Sequence, residues 1–124
     1  MTRTEEETKE LTMGPSDIVK EDYCGKELSE LLRKKGLAGY KTPYSKVIGG
    51  DYPLSIAVKW FRVAHNLSIE PISVYNGNNN VGYVYSIAST KTALEIYGQP
   101  NNMPYDTCED AVRGAIKYSL ENLL

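Results

Sequence analysis

The most constraining stretch of this 124-residue chain is Asn76-Gly77-Asn78-Asn79-Asn80, set between two β-rich segments. Asn and Gly tolerate positive φ, and five residues is a common hairpin connection, so residues 68–75 and 81–88 are predicted to pair as antiparallel strands. Ile72 and Val74 alternate toward one face of the first strand. In the second, Val81, Tyr83, Tyr85 and Ile87 share a face, with Val84 and Ala88 opposite. Pro71 has no N–H for a ladder, which places its strand on an edge or marks a bulge. A third strand is predicted over residues 92–97.

Three helical periods surround the hairpin. Cys24, Leu28, Leu31 and Leu32 fall on one face of a 3.6-residue repeat that ends near Lys35. Gly36 suits a left-handed cap, with Leu37 folding back on the last turn. Arg33, Lys34 and Lys35 complement the negative end of the helix dipole. Asp51 is the expected cap of the second helix and Pro53 belongs to its first turn. That helix, running to about residue 66, carries two apolar stripes: Leu54, Ala57, Val58, Phe61 and Ala64, then Ile56, Trp60, Val63 and Leu67. Apolar over much of its circumference, it is expected to be the central, most buried helix. The last helix opens on a capping-box pattern, Thr107 with Asp110, and its stripe runs through Cys108, Val112, Ala115, Ile116, Ser119 and Leu123. Leu123 and Leu124 are expected to dock on the core.

Residues 1–16 read as a polar tail and residues 17–124 as one α+β domain: two layers, three helices on a small, mainly antiparallel sheet. A short strand is predicted over residues 44–48. A chain this long buries about two-thirds of its unfolded surface, enough for one core without disulfides or metals. Cys24 and Cys108 lack any metal or CxxC spacing and are expected to be reduced. The charged start of the chain has no apolar run, and the longest apolar stretches fall far short of a membrane span, so a cytoplasmic protein is expected.

Three blocks resemble a known group. Residues 53–69, PLSIAVKWFRVAHNLSI, are similar to a KWLR-x2-HNI block. Residues 107–124, TCEDAVRGAIKYSLENLL, are similar to an EEA-x3-AIKY-x-LENLI ending, and KELSELLRKKGL at 26–37 to an opening E-L-A-x-x-L-x-x-KGF helix. Together these cover about 47 of the 124 residues in matching order. The group consists of small uncharacterised proteins of gut anaerobic bacteria and their phages and mobile elements. The resemblance rests on core positions and helix ends, so it implies a scaffold and carries no catalytic residues. Residues 1–20 and the loop 38–52 depart from it, and the tail is expected to be a contact or assembly arm.

His65 is the sole histidine. Catalysis would pair it with Cys24 or Cys108, but no nucleophile signature accompanies either thiol; a place in the last helical turn assigns its imidazole to the helix end. Glu5–Glu7, Glu109 and Asp110 read as capping and solvated charges. Gly49-Gly50 ahead of a helix leaves an anion site at 49–54 open, without a phosphate-loop motif. No catalytic, cofactor or metal residue is therefore assigned. The candidate contact surface is basic and aromatic: Arg33, Lys34, Lys35, Tyr40, Lys41, Tyr44, Lys46 and Tyr52. With a net charge of −2, nucleic acid is disfavoured as the main partner. The expectation is a non-catalytic accessory protein of phage or mobile-element type that acts by protein–protein interaction. It would bind itself as a homo-oligomer, bind a host factor in the host-cell cytoplasm, or serve as a minor structural component. The alternative is a nucleic-acid or nucleotide-ligand binding module using residues 33–46.

Overall fold

Residues 22–37 and 51–124 are described by the computed structural model; the predicted polar tail and the predicted strand at 44–48 lie outside the described residues. The elements run α1 (Lys26–Lys34), α2 (Leu54–His65), β1 (Leu67–Asn76), β2 (Asn79–Ser89), β3 (Glu95–Gly98) and α3 (Cys108–Asn122). The strands form an antiparallel sheet in the order β1-β2-β3. α3 lies across β1 and β2, α2 covers β1, and α1 packs on α3. This is the expected α+β architecture of three helices on a small antiparallel sheet.

The starts of α1 and α2 are tied together by backbone. The Cys24 N–H donates to the Tyr52 carbonyl and the Leu54 N–H to the Asp22 carbonyl, each at 2.8 Å. Asp51 was expected to cap α2, and here the structure corrects the sequence. Its carboxylate accepts from the Gly25 N–H at 2.8 Å and from the Ser29 hydroxyl at 3.3 Å, so it serves the start of α1. α2 begins behind Pro53 without a side-chain cap. The antiparallel pairing of 22–24 with 52–54 is the reason, because it brings the first turn of α1 up to residue 51.

The core draws on all three helices and on β1 and β2. Leu32, Leu37, Ala57, Phe61, Ile87, Ala115 and Ile116 have no exposed surface. Gly36 takes φ +114° and Leu37 folds inward as predicted. Burial corrects the ranking of the helices. α3 buries Ala111, Val112, Ala115, Ile116, Ser119 and Leu120, whereas α2 leaves Val63 and Ala64 of its two stripes exposed. α3 is central because it packs on β1, β2 and both other helices. Its Thr107 cap accepts from the Asp110 N–H at 3.0 Å, as predicted. Leu123 packs on the core, but Leu124 is exposed.

The hairpin turns more tightly than its sequence suggests. Gly77-Asn78 alone connect the strands, with positive φ at Gly77 and not at Asn78, which fits a II′ turn. The register slips between Val74 and Tyr75, so Val81 becomes the extra residue of a bulge. Tyr85 and Ile87 face the core with Leu67 and Ile69; Val81, predicted to share that face, is thrown out to 50% exposure. Ile72 and Val74 do share a face, the one away from the helices. Pro71 sits on edge strand β1, as its missing N–H requires. The third strand covers Glu95–Gly98.

Candidate functional site

The basic and aromatic surface expected from the sequence comes apart in three dimensions. Lys34 and Lys35 are exposed in the last turn of α1 and just beyond it. Arg33 is half-buried, its guanidinium 5.3 Å above the centre of the Tyr52 ring, a cation–π contact. Tyr52 itself is only 1% exposed. It is a core residue, drawn in by the pairing with Cys24 and by its own N–H donating to the Ser29 hydroxyl at 3.0 Å. Tyr40, Lys41, Tyr44 and Lys46 lie outside the described residues. Of the anion site at 49–54, Gly49 and Gly50 also lie outside, and the Leu54 N–H is already taken by the Asp22 carbonyl.

The titratable groups are held apart. The imidazole of His65 packs edge-on against Trp60, with ring centroids 4.7 Å apart, and tilts toward Phe61. Burial among these rings lowers its pKa, because the charged form loses hydration. Cys24 lies at the other end of α2, its thiol facing the Pro53 carbonyl at 4.0 Å. Burial first and Asp51 second push that thiol up to about 12, so it stays protonated and unreactive at neutral pH. Cys108, half-buried at the start of α3, lines a groove with Leu54 and Ser55, again at the start of α2. Beside it the phenol of Tyr83 is raised by charge repulsion from the thiol and by their hydrogen bond. A helix rising 1.5 Å per residue separates His65 from the end near both thiols by about 16 Å. The Cys–His pairing considered from the sequence is not assembled by these contacts. No group of three His, Cys, Asp or Glu able to hold a metal occurs among the described residues.

What sequence reasoning missed is a clamp on α3 and the surfaces around it. The Arg113 Nε donates to the Tyr23 carbonyl at 2.9 Å, and one terminal nitrogen donates to Asp110 at 2.8 Å. The other lies 3.8 Å from Asp22. An open cleft of about 530 Å³ between Leu28, Tyr105, Arg113 and Lys117 flanks the clamp. A groove of about 440 Å³ lies between the first turns of α2 and α3. Nothing in the spacing of these residues marks them, since the cleft is built from three separate segments and the groove from four.

The third surface is the far end of the hairpin. Beyond the core the two strands continue as an arm on which Ile72, Tyr75 and Val81 are 38%, 62% and 50% exposed. The bulge at Val81 puts an aliphatic side chain in solvent that strict alternation would have turned inward. The tyrosine and valine were legible as strand residues, but their exposure follows from where the core stops.

No protein-family model, curated protein or solved structure matches this chain. No helix among the described residues is long and apolar enough to cross a membrane.

Proposed function

We propose that this chain is a non-catalytic accessory protein of phage or mobile-element type, acting in the host cytoplasm by binding another protein. The observation that supports the reading is the hairpin arm, which holds Tyr75 and Val81 in solvent near its end, with Ile72 exposed on the sheet face away from the helices. Single exposed apolar residues are ordinary; three on one short projection are an anchor for a partner. Tyr is suited to that role, with a large contact area and few rotors. The three blocks similar to proteins of phages and mobile elements support the setting.

Affinity capture with the tagged full chain tests it. The wild type should capture a defined partner, or a second copy of itself, in stoichiometric amount. The Tyr75→Ser/Val81→Ser variant should bind that partner about tenfold or more weakly, the usual effect of removing interface anchors. Equal capture by the wild type and the variant would remove the arm as the contact surface.

A further inference from the structure

Hydrogen bonds on one side of the sheet fix what the opposite edge presents. Tyr83 exchanges both backbone bonds with Tyr105, and the Ser89 N–H donates to the Leu94 carbonyl at 3.0 Å. The odd-numbered residues of β2 from 83 to 89 therefore turn their amides toward β3. Val84, Ser86 and Ala88 turn theirs toward β1, where they meet Ile72, Glu70 and Ser68. Alternation along β1 then leaves Ile69, Pro71, Ser73 and Tyr75 with their backbone groups pointing out of the sheet, because the extra residue of the bulge belongs to β2. Among the described residues no strand pairs with that edge. Pro71 has no N–H to offer there, so any pairing along it stops at the root of the arm. Beyond Pro71, Ser73 and Tyr75 each present both an N–H and a carbonyl.

Charge decides what fits this edge. Residues 71–90 hold no Asp, Glu, Lys or Arg, in a chain that is 24% charged. Natural edge strands are commonly blunted by charge or proline, and past Pro71 this one has neither. A two-fold contact sets each residue against itself or its near neighbours, so any charge would face its like. Neutrality is what pairing with an identical strand requires, whereas a foreign strand can carry the opposite charge. The other edge of the sheet, β3, is four residues long and carries Glu95.

We propose that a second copy of this chain adds to the sheet here, antiparallel along the edge of β1 beyond Pro71. This pairing rests on the arm being the contact surface, as proposed above, and names its partner. With the two-fold axis at Val74, Ser73 and Tyr75 of one copy exchange N–H···O bonds with Tyr75 and Ser73 of the other. Val74 of one copy then lies opposite Val74 of the other, in the close approach of a rung without hydrogen bonds. A slip of the axis to Ser73 sets Tyr75 against Pro71 and loses the bond that Pro71 cannot donate, so Pro71 disfavours that register.

Sedimentation of the full chain over a range of concentrations tests the pairing, with amide hydrogen exchange read on the same samples. The wild type should form a dimer that dissociates on dilution, and protection of the Ser73 and Tyr75 amides should fade with it. Val74→Lys and Val74→Glu should each weaken the dimer about tenfold or more, because like charges then sit opposite one another. Mixed together, the two should restore it, a rescue that a misfolded variant cannot give. Ser73→Pro should weaken the dimer about tenfold or more by removing an outward N–H that a single copy does not use. A wild type that is monomeric at every concentration overturns the proposal. So does a dimer untouched by all three variants, or a Lys/Glu mixture that stays monomeric. A monomer that still captures a different protein through Tyr75 and Val81 also overturns it, and leaves the proposed function standing.

Discussion

At the residue scale, two buried serines separate a hydrogen bond that stabilises from one that is unmade. The Ser29 hydroxyl, fully buried, donates to Asp51 and accepts from the Tyr52 N–H. Ser29→Ala leaves that buried N–H unpaired and should cost about 1–3 kcal/mol, read as a drop of several degrees in Tm. Ser119 is equally buried, yet its hydroxyl has no partner among the described residues. Ser119→Ala should therefore be neutral or slightly stabilising in the same assay. His65 makes a prediction of opposite kind. Its folded-state pKa lies below the 6.5 of a free imidazole, because burial against Trp60 and Phe61 disfavours the charged form. The neutral ring's contribution to stability is thus fully present above pH 6.5. It is lost as pH falls through the folded-state value, where the unfolded chain already binds the proton. Chemical denaturation between pH 7 and 5 should show that slope in the wild type and a flatter one in His65→Gln.

At the element scale, the hairpin shows how local chemistry and packing divide the work. Asn76-Gly77 made the turn legible, because few residue pairs suit positive φ. The register slip was not, because it depends on what lies across β2. Tyr105 exchanges both backbone hydrogen bonds with Tyr83, at 2.8 and 2.7 Å, and brings Pro104 over the bulge. Gly82, at φ +147°, would place an added Cβ 2.5 Å from Pro104 Cβ and 2.7 Å from the Tyr105 carbonyl oxygen. Gly82→Ala should accordingly cost about 2 kcal/mol or more, from backbone strain and the close contact together. A thermal melt near wild type would mean the loop carrying Tyr105 yields easily. The helices tell a similar story. Period located all three, but the expected cap of α2 went to α1 and the circumference of apolar residues on α2 was a poor guide to burial. α2 packs mainly on one strand and one helix, while α3 fills the space between two strands and two helices.

At the scale of the whole molecule, the arm, the clamp and the groove are products of assembly. If the arm is an anchor and not a support, Tyr75→Ser/Val81→Ser should leave Tm within about 4 degrees of wild type, since exposed substitutions rarely change stability by more than about 0.5 kcal/mol each. A large loss of Tm would make these side chains structural. The eight-residue surface read from the chain shows where spacing runs out. Arg33 and Tyr52 do meet, 19 positions apart, but as a cation over a buried ring and not as a contact surface. By itself the amino-acid order determined the three helical periods, the Thr107 cap, the Gly77 turn, the edge position of Pro71 and the α+β class. Each of these is a short-range matter of φ, hydrogen bonding and the period of apolar residues. Tertiary structure alone decided which helix Asp51 caps, which helix is central, that Tyr52 is core and that Val81 is exposed. Those outcomes turn on contacts between segments tens of residues apart, above all the pairing of 22–24 with 52–54 and of Tyr83 with Tyr105. No local pattern records such contacts, because the free energy that selects them belongs to the packed whole.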